Sequence, residues 1–225
     1  MGVGAHLRIE LEEYDSRIRT FVPGYEDLVR VAAEALRFVS ATPPAIIDLG
    51  VGTGALAQAC LEARPDATLL GVDCDPGMLK AARARLARFP RVDLMEADFL
   101  SAELPACDAI VACVSLHHVR TPAAKRALYA KCCAALRPAG LLVSADCYPA
   151  AQARVAAQHR EAWLAHLERS YGRAEAEAHL ASWSGEDVYF PLEDELAWLR
   201  EAGLEPEVLW RVEGFAVIAA FRGRA

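Results

Sequence analysis

AIIDLGVGTG, residues 45–54, decides the fold class of this 225-residue chain. Its first five residues are apolar except for Asp48, the length and composition of a parallel strand buried on both faces. The strand leaves through Gly50-Val51-Gly52-Thr53-Gly54. Glycine tolerates positive φ and presents no Cβ, so such a turn lets backbone approach a ligand closely. Residues 55–63 then read as a helix, and Ala55 completes a GxGxxA pattern, the dinucleotide fingerprint.

The same unit recurs on either side. Residues 68–72, 92–96, 109–114 and 141–145 are further strand-like runs. Residues 76–87 read as a helix with Pro76 in its first turn, and residues 122–136 as another. Upstream, Leu28, Val31, Ala32, Ala35, Leu36 and Val39 repeat at helical spacing until Thr42-Pro43-Pro44 ends the run. Strands alternating with helices imply a parallel sheet covered on both faces. The alternation stops near the C-terminus, where runs 206–212 and 215–221 are joined by Glu213-Gly214, a hairpin signal. A polar helical stretch, roughly 152–201, precedes them. It is expected at the C-terminal edge of the sheet, where open α/β folds bind ligands.

Composition narrows the function. The formal charge of −7 argues against a nucleic-acid partner, which would call for lysine and arginine stripes. No apolar run approaches the roughly 20 residues of a membrane span, and the early charges of the N-terminus leave no apolar signal core. A cytoplasmic protein is therefore expected. The seven cysteines (Cys60, Cys74, Cys107, Cys113, Cys132, Cys133 and Cys147) contain no CxxC and match no zinc spacing. No metal site is expected from them.

The glycine turn alone does not separate a nicotinamide cofactor from others. Asp73, 19 residues beyond Gly54, closes the second strand, where a carboxylate can accept hydrogen bonds from a ribose. Asp48 is more discriminating, because it would set a negative charge beside a pyrophosphate but suits a cationic ligand. Glu96-Ala97-Asp98-Phe99 closes the third strand, offering Asp98 to an adenine amino group and Phe99 to its ring.

IIDLGVGTG, GVDCDPGML, EADFL, CDAIVACVSLHHV and LRPAGLLVSAD together resemble, in order and spacing, the successive motifs of class I S-adenosyl-L-methionine (SAM) dependent methyltransferases. LEPEVLWRVEGFAVIAAF resembles the last two strands of that family. The resemblance implies an α/β fold: a Rossmann-like, doubly wound, mostly parallel seven-stranded sheet ending in an antiparallel hairpin, with a helical insertion after strand five. A single domain over 1–225 would comprise an N-terminal helical cap (1–44), a cofactor-binding core (45–146), a substrate-side insertion (147–203) and the hairpin (204–225). SAM would be the cofactor. Gly50, Gly52 and Gly54 would pass under its methionine part, Asp73 with Cys74 behind it would hold the ribose, and Asp98 with Phe99 the adenine. Cys113 and Val114 would line the sulfonium end. The segment Tyr14-Asp15-Ser16-Arg17 and Val22-Pro23-Gly24-Tyr25 resembles the entry helix of the carboxy-SAM synthase subgroup, which implies that Tyr25 touches the cofactor. Those synthases hold an extra carboxylate with an arginine of the insertion, and Arg169 stands in a comparable place.

Methyl transfer from a sulfonium needs alignment and, for some acceptors, a base. His117 and His118, following strand four, are the candidates, since a neutral imidazole suits proton abstraction near neutral pH. Asp146 and Tyr148, after strand five, face the same edge. In the insertion Val155, His159, Trp163 and His166 fall near one helical face, with Trp183, Tyr189 and Phe190 adding aromatic surface. Packing accounts for that stripe more simply than a pocket wall. Val114-Ser115-Leu116-His117 stands where nucleic-acid amino-methylating enzymes carry an Asn/Asp-Pro-Pro-Tyr/Phe tetrapeptide. A small-molecule substrate and a monomer or homodimer are expected. The competing readings are a carboxy-SAM synthase-like enzyme, a non-catalytic SAM-binding protein, and an NAD-dependent dehydrogenase that would leave Asp48 unexplained.

Overall fold

The computed structural model describes residues 13–224. Strands β1 (Ala45–Leu49), β2 (Thr68–Asp73), β3 (Val92–Glu96), β4 (Cys107–Cys113), β5 (Leu136–Cys147), β6 (Leu204–Val212) and β7 (Phe215–Arg222) form one sheet, ordered β3-β2-β1-β4-β5-β7-β6. β1 to β5 run parallel, while β7 is antiparallel to β5 and β6. This is the doubly wound sheet with a terminal hairpin that the motifs imply. Strand order reverses between β1 and β4, and a crevice at such a switch point is where open α/β sheets bind ligands.

Period-two alternation sends successive strand residues into two separate cores. Ile46, Ala109, Val111, Leu141, Val143, Val217 and Ala219 enter one. Ile47, Ile110, Ala112, Leu142, Ala216, Ile218 and Ala220 enter the other. Being buried on both faces is why these strands read as continuous apolar runs. The first core is closed by α1 (Tyr14–Phe21), α2 (Tyr25–Glu34), α3 (Ala55–Ala63) and α4 (Pro76–Leu86), and the second by α5 (Pro122–Ala135). Both α4 and α5 begin with proline behind a capping side chain: Asp75 accepts from Gly77 N and Met78 N, and Thr121 accepts from Ala124 N.

The helical stretch after β5 divides into α6 (Ala153–Tyr171), α7 (Arg173–Trp183) and α8 (Leu192–Glu201). Only α6 and α7 roof the first core: Leu164, Leu167, Leu180 and Trp183 pack with Ile18 and Phe21 of α1. Phe21 stands edge-on to Trp183 at 5.1 Å, and Trp163 Nε1 donates to Phe21 O at 2.7 Å. Helices α1, α6 and α7 thus form one roof. α8 belongs to the opposite face, where Leu192, Trp198 and Leu199 join the second core. Phe190 goes with it, lying 4.9 Å from Trp198, so it adds nothing to the aromatic wall expected of the insertion. The cause is an amphipathic stripe on α8 that meets the α5 side of the sheet.

A buried ion pair fastens α8 to α5. Lys125 Nζ and Glu195 Oε1 are 3.0 Å apart, each only 1% exposed, and Tyr129 donates to Glu195 Oε2. Lys125 also donates to Leu116 O at 2.7 Å. The pair therefore anchors the loop after β4 from beneath.

Candidate active site

The glycine turn takes the shape its sequence allows. Gly50, Gly52 and Gly54 have φ of 72°, 54° and 85°. Gly50 N and Val51 N donate to Val72 O, at 2.8 and 3.0 Å. A Cβ on Gly50 would stand 2.5 Å from Ser115 Cβ, so this position admits only glycine in the present packing. Gly54 departs from the expected role. It lies behind the turn, where it opens α3 and packs on Ala82 and Leu86 of α4, and it does not line the cavity.

That cavity, of about 590 Å³, spans the switch point from the glycine turn to the roof. Asp48, Gly50, Gly52, Asp73, Cys74, Asp98, Phe99, Cys113, Val114 and Tyr25 all line it, as do His117 and His118. Asp73 Oδ2 accepts from Gly52 N at 2.8 Å and Oδ1 from Asp75 N at 2.9 Å, so the carboxylate also shapes the turn. Burial raises its pKa. Asp98 is exposed, its Oδ1 bound by Leu100 N at 2.8 Å. Phe99 is half-buried, and Cys74 is exposed beside Asp73. Val114 has φ of 51°, a costly conformation for a β-branched residue and one found at functional sites. Its amide is held by Ala145 O at 2.8 Å, and Ser115 Oγ donates to Leu49 O at 2.7 Å.

Asp48 is 1% exposed, and its Oδ2 has no hydrogen-bond partner among the described residues. Burial, reinforced by the charge of Asp73, pushes its pKa up to about 8. A buried carboxyl with an unpaired oxygen at a cavity wall calls for a cationic partner. SAM carries an ammonium and a sulfonium, so the donor set fits that cofactor. The turn is fastened to the roof as well: Thr53 Oγ1 donates to Asp15 Oδ1 at 2.7 Å, and Arg85 binds both Thr53 and Asp15. This seats Tyr14, Ile18 and Phe21 over the cavity. Tyr25 lies at the same wall, 8% exposed, with its hydroxyl pKa raised by burial.

The far end is polar and aromatic. His117 is buried, and its Nδ1 lies 2.8 Å from Asp146 Oδ1. Burial disfavours the imidazolium, but the Asp146 carboxylate outweighs it and the His117 pKa is raised. Asp146 does not reach the cavity itself; Oδ2 accepts from Leu116 N and His117 N, which fixes the loop. Tyr148 is also fully buried and bonded to Ser144 at 2.5 Å, so it is not open to a ligand. Asp187, between α7 and α8, approaches both histidines, with Oδ1 at 3.1 Å from His118 Nδ1 and 3.8 Å from His117 Nε2. Val188 N donates to His117 O at 3.1 Å, joining this segment to the histidine loop. Trp163, Trp183 and Tyr189 complete the wall, with Arg120 and Glu186 at the rim. Asp187, Arg120 and Glu186 escaped the sequence reading. Val155 is exposed, and neither His159 nor His166 lines the cavity. Arg169 is exposed on α6, turned to His166, and lies outside the lining.

Comparison with known proteins agrees with this geometry. Residues 46–140 match the family described as a methyltransferase domain. The chain is 24% identical over 93% of its length to the carboxy-S-adenosyl-L-methionine synthase of Nautilia profundicola, covering 90% of that protein. Over half of its length it is 39% identical to trans-aconitate 2-methyltransferase of an Acidovorax species, covering 42% of it. An O-methyltransferase family protein from Burkholderia thailandensis superposes with a TM-score of 0.68 at 20% identity, over 89% of this chain and 56% of that one. The chain thus spans little more than half of that structure's chain. Over residues 46–140 the likeness is thus to a methyltransferase domain, and the donor set of the cavity fits SAM. Among the described residues no helix is long and apolar enough to cross a membrane.

Proposed function

We propose that the protein transfers a methyl group from SAM to a small-molecule acceptor held between the histidine loop and the aromatic roof. One observation carries this reading. A single cavity joins the Asp48–Gly50–Asp73 wall to His117, His118, Asp187 and Trp163, so a cofactor and a second small molecule fit end to end. SAM supplies an activated methyl group. Asp48, once ionised, faces its positive charge; Asp73 and Asp98 offer acceptors to its ribose and adenine. The roof excludes water, and the His117–His118–Asp187 cluster receives the acceptor and handles its proton. The cavity is deep and roofed by α1, α6 and α7, which favours a small metabolite over a polymer.

The test is incubation of the protein with methyl-labelled SAM and pools of small metabolites, reading label transfer and S-adenosylhomocysteine release. Transfer to a discrete product supports the reading. Tight SAM binding with no transfer to any pool would favour a non-catalytic SAM-binding protein. A carboxy-SAM synthase-like enzyme is the second reading, favoured by the 90% coverage of the Nautilia protein. Against it stands Arg169, exposed and outside the cavity lining. Mass spectrometry of the ligand that copurifies separates the two.

A further inference from the structure

We propose that His117 Nε2, His118 Nδ1 and Asp187 Oδ1 bind a divalent transition-metal ion at the acceptor end of the cavity, leaving coordination positions open for an acceptor oxygen. The three ligand atoms lie within 4.8 Å of one another. Ligands bonded to one ion at about 2.0–2.2 Å stand roughly 3–3.6 Å apart, so closure requires shifts of about an ångström or less. The 3.1 Å approach of His118 to Asp187 would serve as a hydrogen bond. His117 Nε2, at 3.8 Å from the same oxygen, is too far for one. Both distances are compatible with an ion between the three atoms.

The groups behind these ligands are those that metal sites use. Asp146 Oδ1 engages His117 Nδ1 at 2.8 Å, which assigns the ring proton to Nδ1 and turns the Nε2 lone pair toward Asp187. Tyr189 donates to Asp187 Oδ2 at 2.9 Å, leaving Oδ1 toward the imidazoles. Two histidines and one carboxylate suit zinc or iron(II) with positions to spare. Calcium and magnesium would call for a shell of oxygens instead. All three ligands line the cavity, so the open positions face the acceptor.

The role in catalysis rests on the methyl-transfer reading. A hydroxyl bound to such an ion has a lowered pKa and loses its proton to water. The oxygen then forms a bond to the methyl carbon as the carbon–sulfur bond of SAM breaks. The acceptor class is accordingly a small molecule with a hydroxyl or enol oxygen.

Chelator-treated full-length protein is titrated with Co2+ and Zn2+, following heat and the visible absorption of Co2+, with a parallel titration of SAM. The expected result is one equivalent of metal and a low-symmetry Co2+ spectrum. His118→Ala and Asp187→Asn should each weaken metal binding by more than about 100-fold, and Asp146→Asn by about 10–100-fold. His118 has a 44% exposed side chain, so its removal leaves the fold intact. His166→Ala, outside the cavity, should change nothing. Absence of stoichiometric uptake, or uptake unaltered in both His118→Ala and Asp187→Asn, would overturn the site. SAM binding without metal uptake removes this proposal and leaves the methyltransferase reading standing. Metal uptake without SAM binding does the reverse. Full-rate methyl transfer after chelation would refute the catalytic role.

Discussion

Asp48 offers the sharpest test of how the cavity holds its cofactor. The carboxyl is buried with one oxygen unpaired, and its pKa is pushed up to about 8. In the free protein near neutral pH it is mostly protonated, whereas a bound cation favours the carboxylate. Below about pH 8, binding SAM must therefore expel a proton, and each unit of acidification should weaken affinity about tenfold, or 1.4 kcal/mol. Asp48→Asn keeps the shape and removes the titration. Near pH 8 the variant should bind SAM about 10–150-fold more weakly, the worth of a charged hydrogen bond of roughly 1.5–3 kcal/mol. Near pH 6 the gap should nearly close, because the wild type has by then lost about 2.7 kcal/mol.

Isothermal titration in buffers of differing ionisation enthalpy reads both affinity and proton count. The wild type should release close to one proton per SAM at about pH 7, and the variant close to none. The α-amino group of SAM titrates near about 7.7–8.0 in both proteins, so the difference between the curves isolates Asp48. Linkage also sets the sign for stability. The folded pKa lies above the unfolded one, so this group makes stability fall as pH rises from about 4 to about 8. Asp48→Asn should flatten that fall in thermal melts. A wild-type affinity flat across this range, or parallel slopes for the two proteins, would refute the role given to Asp48.

Other perturbations separate the parts of the site. Asp73→Ala should weaken SAM binding by about 10–150-fold through lost acceptor bonds, read by calorimetry; unchanged affinity would remove the ribose assignment. Gly50→Ala places a Cβ 2.5 Å from Ser115 Cβ and should lower stability by about 1–3 kcal/mol and abolish SAM binding, seen in denaturant melts. His118→Ala should cut turnover by about 100-fold or more while SAM affinity stays put; equal losses in both would make it a cofactor-packing residue. Lys125→Met leaves Glu195 buried without its ion-pair partner and should cost about 3–5 kcal/mol in urea unfolding.

What was legible in the sequence is what local chemistry dictates. IIDLGVGTG announces a buried strand and a positive-φ turn by composition alone, and the strand-and-helix alternation implies a parallel sheet covered on both faces. Legibility ends where tertiary contacts assign the role. Gly54 is indistinguishable from Gly50 in the motif, yet one packs on Leu86 and the other faces the cavity. Tyr189 and Phe190 are neighbours in sequence but serve opposite faces of the sheet. The apolar run begins at Leu141 in the sequence, but β5 already begins at Leu136, whose partner is Cys107 across a register shift. Asp187 lies in an irregular segment without periodicity, and tertiary contacts such as the bond from Val188 N to His117 O bring it to the site.

The two ends of the cavity are built by different means, which bears on how this chain acquires an acceptor. The cofactor end is made of residues at strand ends, held by sheet register and by bonds such as Gly52 N to Asp73. The histidine loop is likewise fixed from the sheet side, by Asp146 through three contacts and by Lys125 at Leu116 O. Asp187 arrives from the connection between α7 and α8 with Glu186 and Tyr189, beside the Trp163 and Trp183 wall of α6 and α7. Substitutions in that connection can therefore alter what the histidines face without disturbing a single strand. On this reading, exchange of residues 184–191 should change the acceptor while leaving SAM affinity intact. Turnover should fall with Asp187→Asn even where the roof remains folded, since the histidines then face an amide in place of the carboxylate.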